Sequence, residues 1–273
     1  MTLEALLQMP NTLPTAPRVV DELITSFMYP NVSVDEIART LSSDPVLSAK
    51  LLRLANSAYY HVSRSIGTVD DAVHMLGFVS VRTLVISAGL VSGFKTVPGL
   101  DLKRFWAFSM QTAVAAKWIA READDNAELA FTIGMMHGLG QLVMHIGLPE
   151  QMAAIDEQAS LYAPDRAKVE RAALGYDYSA VGAVLAERWK FPEIFAATIR
   201  DFVDPVKHVG SFRMPAILHL AVWRAQMEQA GADAAAIAAA VAAGEAGSLA
   251  QEVNIVSMPA LSELSSGLEE LMR

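Results

Sequence analysis

Apolar residues recur at helical spacing along nearly the whole chain, and the two-residue alternation of a half-buried strand is almost absent. Thr15-Ala16-Pro17 is predicted to open a helix to about Met28, with the proline in the first turn, where its missing N–H costs nothing; Tyr29-Pro30-Asn31 stops it. Ser33 to Glu36 has capping-box spacing and starts a short helix to Leu41. Ser43-Asp44-Pro45 caps the next, whose Val46, Leu47, Leu51, Leu54 and Ala55 share a face, and which ends near Asn56-Ser57. Thr68 to Leu76 follows, with Asp70 and Asp71 in its first turn and Gly77 just past its end. Ser80 is expected to cap Val81 to Phe94, apolar on nearly all sides except at Arg82, the mark of a central helix.

Val97 to Leu100 reads as a turn, and Asp101 as the cap of a long helix from Leu102 to about Glu122. Asn126 to His137 is helical, followed by a break at 138–140 and a second short helix. Pro149, Asp165, Asp177 and Pro192 each start a helix, Gly147 and Gly175 lie just after helices, and Arg213-Met214-Pro215 opens one ending near Gln229. The alanine-rich run 230–247 favours helix but buries little area, so it should dock weakly or act as a spacer, with Ile237 and Val241 as its large anchors. Ser257-Met258-Pro259 restarts a final amphipathic helix carrying Leu261, Leu264, Leu268 and Leu271, expected to pack on the body or on another protomer. The pattern describes an all-α protein of about 13 helices. It divides into a helical subdomain at 1–96, a helical bundle at 97–230 and a C-terminal extension at 231–273.

One stretch stands apart. Leu129 to Pro149 contains no Asp, Glu, Lys or Arg and is long enough to span a bilayer. It also holds His137, Gln141, His145 and four glycines, which are costly in hydrocarbon, so the expected place is the centre of a protein core and no membrane span is predicted.

Composition narrows the chemistry. The 273 residues can bury a large core, and 53% hydrophobic content implies extensive helix-on-helix burial. The absence of cysteine excludes disulfides, zinc thiolate sites and a cysteine nucleophile. MTLEALLQMP lacks a basic segment followed by an apolar one, so no secretion signal is expected and the cytoplasm is the default location. A formal net charge of -9, with no basic cluster along the sequence, argues against a nucleic-acid partner. The glycines at 134, 138 and 140 do not form a phosphate-binding loop, since they lie within charge-free helical sequence.

"GMMHGLGQLVM", within the uncharged stretch, resembles the "GLLHDIGKLVL" signature of the HD superfamily of metal-dependent phosphohydrolases. "LPTAP" at 13–17, "LSSDPVLSAKLLRLANSAYY" at 41–60 and "SIGTVDDAVHMLGFVSVRTLVIS" at 65–87 are similar, in order, to the N-terminal pattern of the HDOD family, HD-related proteins that generally lack the complete metal site. The resemblance implies that 97–230 is a degenerate HD-like bundle. HD hydrolases gather several imidazoles and carboxylates on one or two metals. Position by position, the family's His falls on Phe108 in "FWAFSMQTAVA", its His-Asp pair on His137 and Gly138, and its Lys on Gln141. A further His falls on Tyr178, the paired His on Asp201 and Phe202, and the late Asp on Val222 in "HLAVW". One ligand survives, and one imidazole does not hold a catalytic metal, so no metal and no cofactor are expected. His137 and His145 are about 12 Å apart along an unbroken helix, and His61, His74, His208 and His219 sit in separate elements without an acidic residue at ligand spacing.

The resemblance therefore implies a non-catalytic bacterial signalling or regulatory module acting through protein–protein contacts. Its partner would be a signalling protein bound in trans, in a cyclic-di-GMP-related or kinase pathway, with self-association through the C-terminal helix as a further expectation. Two alternatives stay open: a nucleotide or small-molecule sensor using the vacated metal pocket, and a phosphohydrolase with an atypical site. The expected working surface is the junction of the subdomains, where Asn56, Ser57, Arg82, His137 and Gln141 are predicted to meet. For Asn56 and Ser57 the plainer role is turn capping, for Arg82 a salt bridge, and for His137 a backbone hydrogen bond in the core.

Overall fold

The computed structural model of the chain describes residues 2–9, 18–25, 38–39, 41–42, 44–60, 62, 65–204, 213–244 and 246–269. The LPTAP segment, the stop at Tyr29, the capping box at Ser33, His61, His208 and Leu271 lie outside them. Among the described residues there is no strand. The α-helices are α1 (Leu3–Gln8), α2 (Arg18–Thr25), α3 (Pro45–Ala55), α4 (Val69–Leu76), α5 (Phe78–Gly93), α6 (Leu102–Glu122), α7 (Ala127–Met136), α8 (Leu139–Gly147), α9 (Pro149–Asp156), α10 (Arg166–Leu174), α11 (Tyr178–Arg188), α12 (Glu193–Asp201), α13 (Met214–Gln229), α14 (Ala234–Ala242), α15 (Ser248–Glu252) and α16 (Leu261–Leu264).

Short polar side chains start these helices by accepting the first free N–H groups. Asp44 takes those of Val46 and Leu47 at 3.0 and 3.1 Å, and Thr68, Asp101, Asn126 and Asp177 act alike. Gly175, at φ 85°, closes α10 in the left-handed region. Two predicted boundaries move. Helix α5 starts at Phe78, not after Ser80, because Gly77 at φ 79° ends α4 and begins α5, leaving no linker to cap. The last helix is a single turn: the chain bends at Gly267, φ 87°, and delivers Leu268 to the core through that bend.

Helices α6 and α7 form the centre, with α13 across both and α5 on the far face of α7. The α6–α7 crossing depends on Gly134, where an added Cβ would lie 2.6 Å from Ala113 Cα. Helices α2, α3 and α4 cover α5. On the other side α8 and α11 cross at Gly140 and Gly182; a Cβ on Gly140 would sit 1.9 Å from the Tyr178 carbonyl oxygen. These glycines serve close helix packing. The segment Ala127–Gly147 is long and apolar enough to cross a membrane, yet 94% of an 18-residue stretch within it is buried inside the protein, as the sequence predicts. The tail packs on this chain's own body: α16 lies on α6, Leu261 and Leu268 are fully buried, and Glu228 on α13 accepts the N–H groups of Leu261 and Ser262.

Candidate functional site

Of the positions that the family pattern assigns to metal ligands, Phe108, His137, Tyr178 and Phe202 carry rings and converge from α6, the end of α7, the start of α11 and the end of α12; Gly138, Asp201 and Val222 carry none. The centroid of Phe108 is 5.8 Å from that of His137, His137 is 6.0 Å from Phe202, and Phe202 is 6.0 Å from Tyr178. Tyr162 closes the other side, 4.6 Å from Phe108, beneath the Arg104 guanidinium. Phe108, His137, Tyr178, Phe202 and Val222 are all buried. His137 Nδ1 lies 2.6 Å from the Gly134 carbonyl oxygen, and burial lowers its pKa to about 4, so the ring is neutral over the physiological range. Burial pushes the Tyr178 hydroxyl far up. Gly138 abuts Phe105, whose ring would be 3.1 Å from an added Cβ.

A divalent metal needs several lone pairs aimed at one point. Here neutral rings touch edge and face, and among the described residues no three His, Asp or Glu side chains come together to hold an ion. The residues present do not fit the metal that the HD pattern implies. Nor is the place vacated, since the replacement side chains occupy it.

Beside this ring cluster lies a set of charged groups that the sequence reading passed over. Arg166, 1% exposed, donates from Nη1 to Asp156 at 2.7 Å and to the Ala159 carbonyl at 2.6 Å, and from Nε to Glu170 at 2.7 Å. Glu170, itself 0% exposed, accepts the Tyr178 N–H at 2.7 Å, and His145 Nε2 lies 3.1 Å from Asp156. Burial outweighs the Arg166 pairing and raises the Glu170 pKa to about 7. The i,i+4 spacing of Arg166 and Glu170 was visible in the sequence, but that spacing also marks solvated helix faces. His74 likewise has a carboxylate after all: its Nδ1 is 3.5 Å from Asp70 one turn back, in an exposed pair.

The five residues expected to share a junction do not share one. Asn56 is a clamp: its Nδ2 donates to the Leu52 and Ile66 carbonyls, and its Oδ1 accepts the Ile66 N–H at 2.8 Å. Ser57 packs against the tail at Gly267. Arg82 stacks over Phe78 at 5.5 Å and feels Glu128 at the start of α7. Glu128 and His137 are nine residues apart on nearly continuous helix, about 13 Å. Gln141 donates to the Leu161 carbonyl at 3.1 Å, beside the ring cluster.

A cleft does open where the early helices, α6 and the tail meet, with a volume of ≈ 890 Å³. Tyr59, Tyr60, Trp118, Lys117, Arg121 and Glu263 are among its walls. Lys117, a lone cation among the buried residues of α6, pairs with Glu128 at 2.7 Å and lies 5.4 Å from the Tyr59 ring. A charge on an apolar helix face needs a partner or a cleft, so Lys117 on α6, like Arg82 on α5, carried a signal legible in the sequence.

The family model for the HDOD domain matches residues 13–205. A protein of Shewanella amazonensis SB2B provisionally named as a phosphohydrolase superposes with a TM-score of 0.78 at 31% identity, covering 97% of both chains. An HDOD domain protein of unknown function from Geobacter sulfurreducens gives 0.70 at 22% identity over 96% of each chain, and so attests the fold alone. Among curated proteins, an "Uncharacterized protein" of Treponema pallidum (strain Nichols) is 27% identical over 191 residues, 69% of this chain. The chain spans 37% of the length of that relative.

Proposed function

Given that the chain belongs to the HDOD family, we propose that it is a non-catalytic signalling module that works by binding another protein. The observation that carries this reading is the ring cluster of Phe108, His137, Tyr178 and Phe202, which puts desolvated, neutral side chains where a hydrolase would need a metal. The junction cleft supplies the docking surface, because it is open, bears aromatic side chains suited to interface contacts, and carries both charge signs. In this reading the partner belongs to a cyclic-di-GMP-related or kinase pathway, and the protein works in the cytoplasm.

The test has two arms. Protein dialysed and reloaded with Mn, Fe, Ni or Mg should hold less than stoichiometric metal and leave a chromogenic phosphodiester unhydrolysed; stoichiometric metal with turnover would overturn the proposal. Capture of a defined partner from the native host should be lost on Trp118→Ala/Arg121→Glu while the melting temperature is kept. A second reading rests on cleft size, since ≈ 890 Å³ falls within the range of small-molecule sites. Nucleotide-induced thermal stabilisation abolished by the same double variant would favour it.

A further inference from the structure

The chain is acidic, with 30 Asp and Glu against 21 Lys and Arg, and its sequence shows no basic run. The fold nevertheless gathers Lys50 from α3, Lys95 from the α5–α6 connection and Lys103 from the first turn of α6 around one pocket of ≈ 270 Å³. Among the described residues its walls include Ser92 and the buried rings of Phe94 and Trp106, 6.3 Å apart, and no carboxylate. We infer that this pocket binds a phosphoryl anion.

Elsewhere among the described residues each buried cation has an acid in contact. Lys117 meets Glu128 at 2.7 Å, Arg166 meets Asp156 and Glu170 at 2.7 Å, and Arg224 meets Glu228 at 2.9 Å. Lys50, half-buried, donates only to the Ser92 hydroxyl at 3.1 Å. Burial and the neighbouring Arg53 lower its pKa. Lys95 and Lys103 are exposed at the rim and form no ion pair among the described residues. The nearest acid in sequence, Asp101, spends an oxygen on the Arg104 N–H as a helix cap. Three ammonium groups on flexible stems, with donors free to turn inward, suit a compact multiply charged oxyanion. The volume, just under the roughly 300 Å³ at which sites for larger organic ligands begin, admits a phosphoryl group with room for the atoms that carry it. Free phosphate and a phosphorylated side chain both present this chemistry.

This pocket shares no lining residue with the junction cleft, so its failure would leave the proposed function standing. The test is titration of the full chain with sodium phosphate, and separately with a short phosphoserine peptide, at ionic strength held constant with sodium chloride. Amide NMR shifts should saturate and centre on 91–95 and 102–106. Lys95→Gln/Lys103→Gln, which removes two exposed charges, should keep the melting temperature and weaken binding at least about fivefold, as expected for two solvent-exposed charge contacts. Lys50→Met should weaken it further. Tighter binding of the peptide than of phosphate would assign the anion to a protein partner, and equal binding to free phosphate. Shifts that are linear in concentration, or that chloride reproduces, would overturn the inference, as would an affinity unchanged in the double variant.

Discussion

Two buried regions flank the N-terminus of α11, and they treat polarity in opposite ways. The ring cluster around His137 keeps its one titratable nitrogen base neutral: burial lowers the pKa to about 4, and the ring is held by a backbone carbonyl and neighbouring aromatics. The network around Arg166 buries a guanidinium and surrounds it with Asp156, Glu170 and a backbone carbonyl. Tyr178 belongs to both, lending its ring to the first and its N–H to the second. Burial alone therefore does not make a site functional, since the same depth supports a neutral plug and an ionic brace.

The largest effect on this comparison should come from separating both regions at once. Gly140→Ala would place a methyl group 1.9 Å from the Tyr178 carbonyl and 2.8 Å from the Gly182 nitrogen. Helices α8 and α11 would have to part, at a cost of about 3 kcal/mol or more by urea denaturation. A stability loss below about 0.5 kcal/mol would mean that the crossing is looser than described.

Arg166→Met breaks the ionic side alone. Removing one partner of a buried charge set costs about 3–5 kcal/mol, and Glu170, which can take up a proton near neutrality, should hold the loss toward the lower end. Arg166→Met/Glu170→Met should recover part of that loss. No recovery in the double variant would show that the arginine acts through Asp156 and the Ala159 carbonyl instead.

Gly138→Asp challenges the ring side. The new carboxylate would press on Phe105 and find no metal-binding set, so it should cost about 1–3 kcal/mol and confer neither metal binding nor hydrolysis. A raised melting temperature in the presence of Mn would mean that the rings yield readily to a metal.

The smallest effect, on the order of 1 kcal/mol per pH unit, concerns pH. The His137 pKa drops from 6.5 to about 4 on folding, so its contribution is full above pH 6.5 and is lost as pH falls toward 4. The Glu170 pKa rises from 4.5 to about 7, so its contribution is full below pH 4.5 and is lost as pH rises through 7. The two slopes oppose each other between pH 4.5 and 6.5. Relative to the parent, stability over that window should climb more steeply with pH in Glu170→Gln and less steeply in His137→Leu.

The helical class and most helix starts were legible because caps are local: Asp44, Thr68, Asp101, Asn126 and Asp177 each act within three residues. Family-pattern substitutions at Phe108, Gly138, Tyr178 and Phe202 could also be read along the chain. What those side chains do once together could not, because ring contact joins residues up to 65 positions apart. The same limit hid the pairing of Arg166 with Asp156, the tail's seat against Ser57 and the gathering of Lys50, Lys95 and Lys103. The expectation that Asn56 and His137 share a surface failed for the converse reason: charge-free sequence marks depth, and depth lies on several sides of α7.

Helix α13 lies beyond the family match at 13–205, yet Ile217, Leu218, Ala221 and Ala225 are buried and the helix packs on α6 and α7. The span that the family model matches is thus smaller than the unit that this chain must complete to close its interior. A fragment cut at the end of that match would uncover the apolar centre that α13 conceals.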